Sequence, residues 1–253
     1  MRAGPPSLVV VGVDGRRGSW AVAVAGTDGD AAVIRSLSWH TVAGQDAAGF
    51  GAVLALAADH GAAAVGVDCP IGLPAGGGWR DCDLQAKRRL GIAQARVFLA
   101  PPREVLAAPD YATARGLARE LLDGRGVSAQ AYGIRRLVLA VDEALAARHD
   151  GQVDGTPGGA GLPVLEVHPE LSFMAMTGRA GALESKHDPA GRAARVAALG
   201  RRLRPGLALD APDGDDHLDA LAAAWSAARW VAGTAEVLGD TRDHGDLPMQ
   251  IVV

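Results

Sequence analysis

Aromatic residues are scarce: three Phe, two Tyr and five Trp make up 4% of 253 residues. Few rings means few partners for bases stacked along an extended strand. There are two cysteines, Cys69 and Cys82, too few for a disulfide framework or a four-cysteine zinc site. The seven histidines lack zinc-ligand spacing. No run of about 18 apolar residues occurs, so neither a transmembrane helix nor a membrane partner is expected. An excess of positive charge is also missing. With 25 basic and 29 acidic residues the net charge is −4, which argues against a generally adhesive nucleic-acid binder but leaves room for a local basic groove. At 49% hydrophobic, the chain is not of disordered composition. The opening MRAGPPSLVVVGVDG has one Arg, a short apolar stretch and no small-residue cleavage site. It reads as a first strand rather than a signal peptide, and a cytoplasmic location is the expectation.

What is present is an alternation of apolar runs and turns. Residues 8–14, 19–25 and 31–37 read as a three-strand meander, with turns at Gly15–Gly18 and Asp28–Asp30. A helix follows over 46–60, closed by Gly61, and then an apolar run over 63–68 that fits a central strand buried on both faces. Helices are expected over 80–91, 111–123, 128–148, 189–203 and 215–232, with a strand at 163–168 and a small edge strand in the tail MQIVV. Loops fall at 74–78 and 150–162. The fold class expected is α/β, a mixed five-stranded sheet of three antiparallel then parallel strands, flanked by helices. The chain is read as a single domain over 1–253 with a helical insertion at about 75–160.

The chemistry concentrates in acids that end strands. Asp14 follows VVVGV and Asp68 follows AAVGV. Both sit where interior strands emerge at their C-terminal ends, the ligand-binding edge of open α/β sheets. Parallel neighbours lie about 4.8 Å apart, so their carboxylates would repel unless a proton or cation intervened. An Asp after a strand also simply starts a turn. A third group is Asp216 and Asp219 at the start of the long helix, spaced i,i+3 and so on one face. Ala220, Ala223 and Ala227 continue that face, while Leu218, Leu221 and Trp225 take the other, so the helix is expected to be buried. Asp213 or Asp215 is the candidate N-cap. Carboxylates converging from two strands and a helix form an oxygen cage of the kind that holds Mg²⁺ or Mn²⁺. Two such ions about 4 Å apart can activate water and stabilise a leaving oxygen in phosphodiester hydrolysis.

Other residues admit two readings each. Glu166, His168 and Glu170 in LEVHPE either extend the acidic site, with His168 as a general acid or base, or shape a buried turn. Lys186, Arg192 and Arg195 either contact phosphates or form a solvated helix start. Arg80, Asp83, Lys87 and Arg88 share a short helix, with Asp83 and Lys87 as an i,i+4 pair. As a group they clamp an anionic substrate or make a charged surface. Arg103 is a further substrate-contact candidate. Cys69 reads as a packed thiol rather than a nucleophile.

DHLDALA at 216–222, with Asp14 and Asp68, resembles the carboxylate set of Holliday-junction resolvases in the ribonuclease H-like superfamily. More of the chain is similar to the family called domain of unknown function 429, described as predicted nucleases. The matching pieces are VGVDGRRGSWAVAV at 11–24, VDCPIGLP at 67–74, RDCDLQAKRRLG at 80–91, VFLAPPR at 97–103, EVHPELSF at 166–173, SKHDPAGRAAR at 185–195 and DDHLDALAAAW at 215–225. The resemblance implies a ribonuclease H-like fold and metal ligands at Asp14, Asp68, Asp216 and Asp219. It implies a Mg²⁺ or Mn²⁺ nuclease, with two metals, acting on nucleic acid. Glu166 and Lys186 would join the catalytic set. Arg80, Lys87, Arg88, Arg103, His168, Arg192 and Arg195 would meet substrate. One departure is that resolvases usually carry Glu where this chain has Asp68. Resolvases also act as dimers, which extends to an expected homodimer, although no residue marks a dimer face. Competing expectations are a non-catalytic binding module and a nucleotide-binding phosphotransferase of the actin and sugar-kinase type.

Overall fold

Two apolar faces on the first strand dictate a layered molecule. The computed structural model describes residues 8–28, 33–148, 161–212 and 214–253. The described residues open with β1 (Leu8–Arg16), β2 (Ser19–Thr27) and β3 (Ile34–Ala43), an antiparallel meander. Helix α1 (Ala47–Asp59), capped by the Asp46 carboxylate on the Gly49 amide at 2.8 Å, crosses to β4 (Val65–Val67). Strand β4 lies parallel to β1, and β5 (Val164–Glu166) lies parallel to β4. The sheet order is β3-β2-β1-β4-β5, the mixed five-stranded α/β sheet expected.

Between β4 and β5 runs a helical insertion: α2 (Asp81–Leu90), a 3₁₀ segment (Gly91–Arg96), α3 (Arg103–Leu106), α4 (Tyr111–Leu121), α5 (Ala129–Gly133) and α6 (Arg135–Ala146). After β5 come α7 (Pro169–Thr177), α8 (Pro189–Gly200) and α9 (Asp216–Val231), then the antiparallel pair β6 (Val237–Arg242) and β7 (Pro248–Val252).

Alternation along β1 sorts its side chains. Val11 and Val13 join Phe50 and Val53 of α1 and Val138 and Val141 of α6 in one core. Val10 joins the opposite core, built around α9 with Phe173 and Met176 of α7 and Ala198 and Leu199 of α8. Gly12 faces that second core. A Cβ on Gly12 would lie 1.8 Å from the Ala220 carbonyl oxygen, and one on Gly66 would lie 2.5 Å from that of Ala223. The glycine in each VGVD string therefore lets the alanine-rich α9 lie directly on β1 and β4.

Three readings of the sequence need correction. The helix expected over 128–148 is two helices, broken at Ile134 directly after Gly133, where glycine lowers the cost of interruption. The tail strand forms, but its partner is β6, and it meets the main sheet only through the bridge Val167–Val252 among the described residues. Helix α7 was not expected. It is buried nearly all round, so its sequence carries no polar face to reveal a helical period. The turn at 29–30, the loop at 150–160 and the alternative cap Asp213 lie outside the described residues. Among the described residues, no helix is long and apolar enough to cross a membrane.

Candidate metal centre

The register of two strands builds the site. Gly12 pairs with Gly66 and Val13 with Val67, and the Asp68 amide donates to the Val13 carbonyl at 2.9 Å. Continuing that register sets Asp14 beside Asp68. Each acid lies two residues beyond a glycine that faces α9, so both side chains emerge on the α9 side of the sheet. Helix α9 starts at this edge, and Asp219 precedes the Ala220 that seats on Gly12. Oxygens of Asp14, Asp68 and Asp219 all lie within 4.8 Å of one another. Asp14 and Asp219 are buried and Asp68 is half-buried.

This crowding is costly without a counter-ion. Burial, then repulsion from Asp68 and Asp219, pushes the Asp14 carboxyl well above the usual range, with Lys186 opposing. Burial and then Asp219 push Asp68 up to about 7, again against Lys186. Burial also raises Asp219, partly offset by Lys186, whose Nζ donates to Asp219 Oδ2 at 2.5 Å. For Lys186 itself, burial works against the charge, but Asp219, Asp14 and Asp68 outweigh it and hold its pKa above the ordinary lysine value. Among the described residues, that lysine supplies the one hydrogen bond to the three carboxylates. Three hard oxygen donors at this separation fit a divalent cation.

The cluster opens into a cleft of about 500 Å³. His168, the residue before α7, lines it. Its Nε2 lies 3.2 Å from the Arg96 carbonyl oxygen, so the ring proton sits on Nε2. Nδ1 is shielded and has no hydrogen-bond partner among the described residues. Burial lowers the His168 pKa, against the Arg96 carbonyl and the acids around it. Cys69 also lines the cleft, but burial, then Glu166 and Asp68, raise its thiol pKa, which makes it a packed thiol and a poor nucleophile.

Asp216 stands apart from the three. It is about one-third exposed and pairs with Arg16 at 3.5 Å, one helical turn beyond Asp219 and past the sheet edge.

Glu166 borders the cleft, and its carboxylate is fully engaged, as the buried-turn reading has it. It accepts two hydrogen bonds from Arg80 at 2.7 Å each and one from the Ile71 amide at 2.8 Å. Arg80 is 2% exposed and also grips Asp83, through Nε at 3.1 Å and NH2 at 2.5 Å. Asp83 in turn accepts from the Ala100 amide at 2.9 Å. Arg80 is thus a buried tie between α2, β5 and the chain after β4, with its donors filled, and it does not line the cleft. Asp83 pairs with Arg80 rather than with Lys87, because burial of the Arg80 side sends Lys87 outward to the Gln94 carbonyl at 3.0 Å.

Other expected substrate contacts are similarly engaged. Arg195 is 1% exposed and donates to Glu170 at 2.5 Å and to the carbonyls of Glu184 and Gly191. Arg192 pairs with Asp215 at 3.0 Å, and Arg103 pairs with the buried Asp142. Arg88 sits 3.8 Å from Asp81 on the outer face of α2. Of the cations expected to meet substrate or scissile phosphate, only Lys186 lines the cleft. Sequence reading missed Arg96, which lines the cleft and donates to Glu170 at 2.8 Å, and the apolar wall of Phe98, Ile134 and Leu137. Their signal was weak, since none belongs to a charged or periodic cluster.

No curated protein matches the chain at a significant level. A family model described as protein of unknown function (DUF429) matches residues 12–244, from the first VGVD string to beyond β6. The chain belongs to this DUF429 family.

Proposed function

We propose that the protein is a divalent-cation-dependent phosphodiesterase with a ribonuclease H-like arrangement, acting on nucleotide substrates as a nuclease. The observation that supports this most is the in-register pair Asp14 and Asp68 joined by Asp219, three carboxylates raised in pKa and compensated by one lysine. Asp14, Asp68 and Asp219 would hold Mg²⁺ or Mn²⁺, with Asp216 in reserve one turn away for a second ion. The cation would supply a Lewis acid and a lowered water pKa. Lys186, hydrogen-bonded to Asp219 at the cleft, would meet a non-bridging phosphate oxygen. Leu137 and Ile134 make part of the cleft wall apolar. In the net reaction a water oxygen bonds to phosphorus, the bond to the leaving oxygen breaks, and that oxygen takes a proton. A diester becomes a monoester and an alcohol.

A non-catalytic module is the second reading. It is favoured by the Lys186–Asp219 contact at 2.5 Å, which satisfies one carboxylate without any metal.

Calorimetric titration of Mn²⁺ and Mg²⁺ into the wild type, Asp14→Asn and Asp219→Asn separates the two. The phosphodiesterase reading expects binding that both variants lose, together with a fall in diester hydrolysis of about 10²–10³-fold. Hydrolysis that survives in either variant overturns it.

A further inference from the structure

The cleft has the wrong charge for a strand passing through it. A polymer channel needs a row of Lys and Arg, because phosphate contacts carry most of the affinity. Here the lining cations are Arg96 and Lys186, and Arg96 is already tied to Glu170. Glu170 and the three aspartates face the same space. Positive charge suffices for about one phosphate, at Lys186 and the carboxylate-bound cation.

The opposite wall is apolar. Phe98 reaches it from the chain between α2 and α3, and Ile134 and Leu137 come from the start of α6. Leu137 abuts the strand end on the sheet face away from α9: a Cβ on Gly15 would meet its methyl carbons at 2.6 and 2.7 Å. The insertion thus bounds the cleft on that side. A volume of about 500 Å³ falls within the range of roughly 300–1,000 Å³ usual for small-molecule sites. Phosphate chemistry on the floor and one ring-bearing wall describe a receptacle for one nucleotide.

We propose that the cleft receives a single nucleotide, phosphate towards Asp14, Asp68, Asp219 and Lys186 and base against Phe98, Ile134 and Leu137. The bond cut is then the diester joining a terminal nucleotide to its neighbour, or the sole diester of a dinucleotide, and not one in the interior of a strand. This rests on the phosphodiesterase reading above. Water adds to phosphorus, the neighbour's oxygen leaves with a proton, and one mononucleotide is released per turnover.

The test uses the full chain with Mn²⁺ and four substrates: bis(p-nitrophenyl) phosphate, a dinucleotide, a linear single strand and a closed circular single strand of the same sequence, in deoxy and ribo forms. Expected are dinucleotide cleavage, stepwise release of mononucleotides from the linear strand, and a circle cut about a hundredfold more slowly. A circle cut as fast as the linear strand overturns this proposal and leaves the phosphodiesterase reading standing. So does hydrolysis of bis(p-nitrophenyl) phosphate without cleavage of either the dinucleotide or the linear strand. Failure on all four substrates overturns both. If the dinucleotide alone is cut, the occupant is a free small diester rather than a strand end. Phe98→Ala is expected to raise KM for the dinucleotide about tenfold, more than it lowers kcat. An unchanged KM in a variant that melts like the wild type overturns the placement of the base.

Discussion

Two clusters of buried acids lie side by side at the sheet's C-terminal edge, and they are built on opposite plans. In one, Asp83 and Glu166 surround Arg80, and every oxygen faces a guanidinium or a backbone amide. In the other, Asp14, Asp68 and Asp219 face one another, with a single lysine among them. The first is an internal fastening between α2, β5 and the chain between them. The second is a store of unrelieved repulsion open to a cleft. Burial and negative charge are common to both, so neither property alone marks a reactive site. What separates them is whether the chain itself supplies the partners.

The contrast breaks most sharply at Arg80. Arg80→Met leaves Asp83 and Glu166 buried without their cation and is expected to cost about 3–5 kcal/mol of stability, read by urea denaturation. A loss under about 1 kcal/mol would show the fastening to be dispensable.

The reactive cluster responds with the opposite sign. Asp68 has a folded-state pKa of about 7 against an ordinary 3.8, so the folded state binds more protons between those values. Stability without divalent cations therefore falls as pH rises through that window and levels above it. Asp68→Asn removes the penalty. It is expected to raise stability by about 2 kcal/mol at pH 8 and to change it little near pH 4. That figure is a screened share of the roughly 1.4 kcal/mol carried by each tenfold change in proton affinity. Thermal melts in chelator at the two pH values check this. A destabilised variant at pH 8 would mean Asp68 is a fastening like Glu166.

At the small end lies the outer face of α2. Arg88→Ala removes an exposed pair with Asp81 and is expected to change stability by less than about 0.5 kcal/mol. It should also leave diester hydrolysis unchanged, since Arg88 lies outside the cleft. A fall in activity would restore this face as a substrate surface.

Much of the fold and the acidic centre is legible in the sequence. The two VGVD strings lead to in-register acids because parallel strands with the same alternation present the same positions on the same face. The i,i+3 spacing of Asp216 and Asp219 places them on one helix face, and the alanines after them mark the side that meets the sheet. What spacing does not reveal is which of the two is close enough. That depends on where α9 crosses the strand ends, and the helix axis carries Asp216 out to Arg16. The basic residues mislead for a related reason. Arg80 and Arg195 look like surface charges in sequence, but their partners Glu166 and Glu170 lie 86 and 25 residues away. Burial of an ion pair is a long-range fact that local composition does not carry. The apolar wall is illegible because Phe98, Ile134 and Leu137 meet only through the path of the insertion.

The direct seating of α9 on the sheet has a consequence for how this site can change. The distance from Asp219 to the two strand acids is set by backbone against backbone, at Gly12 against Ala220 and Gly66 against Ala223. No flexible side chain intervenes to absorb an error. The two missing methyl groups act as a gauge block. A residue larger than glycine at either place would re-space the carboxylates while leaving all three intact, so the tolerance of the centre is written in positions that never touch its ligand.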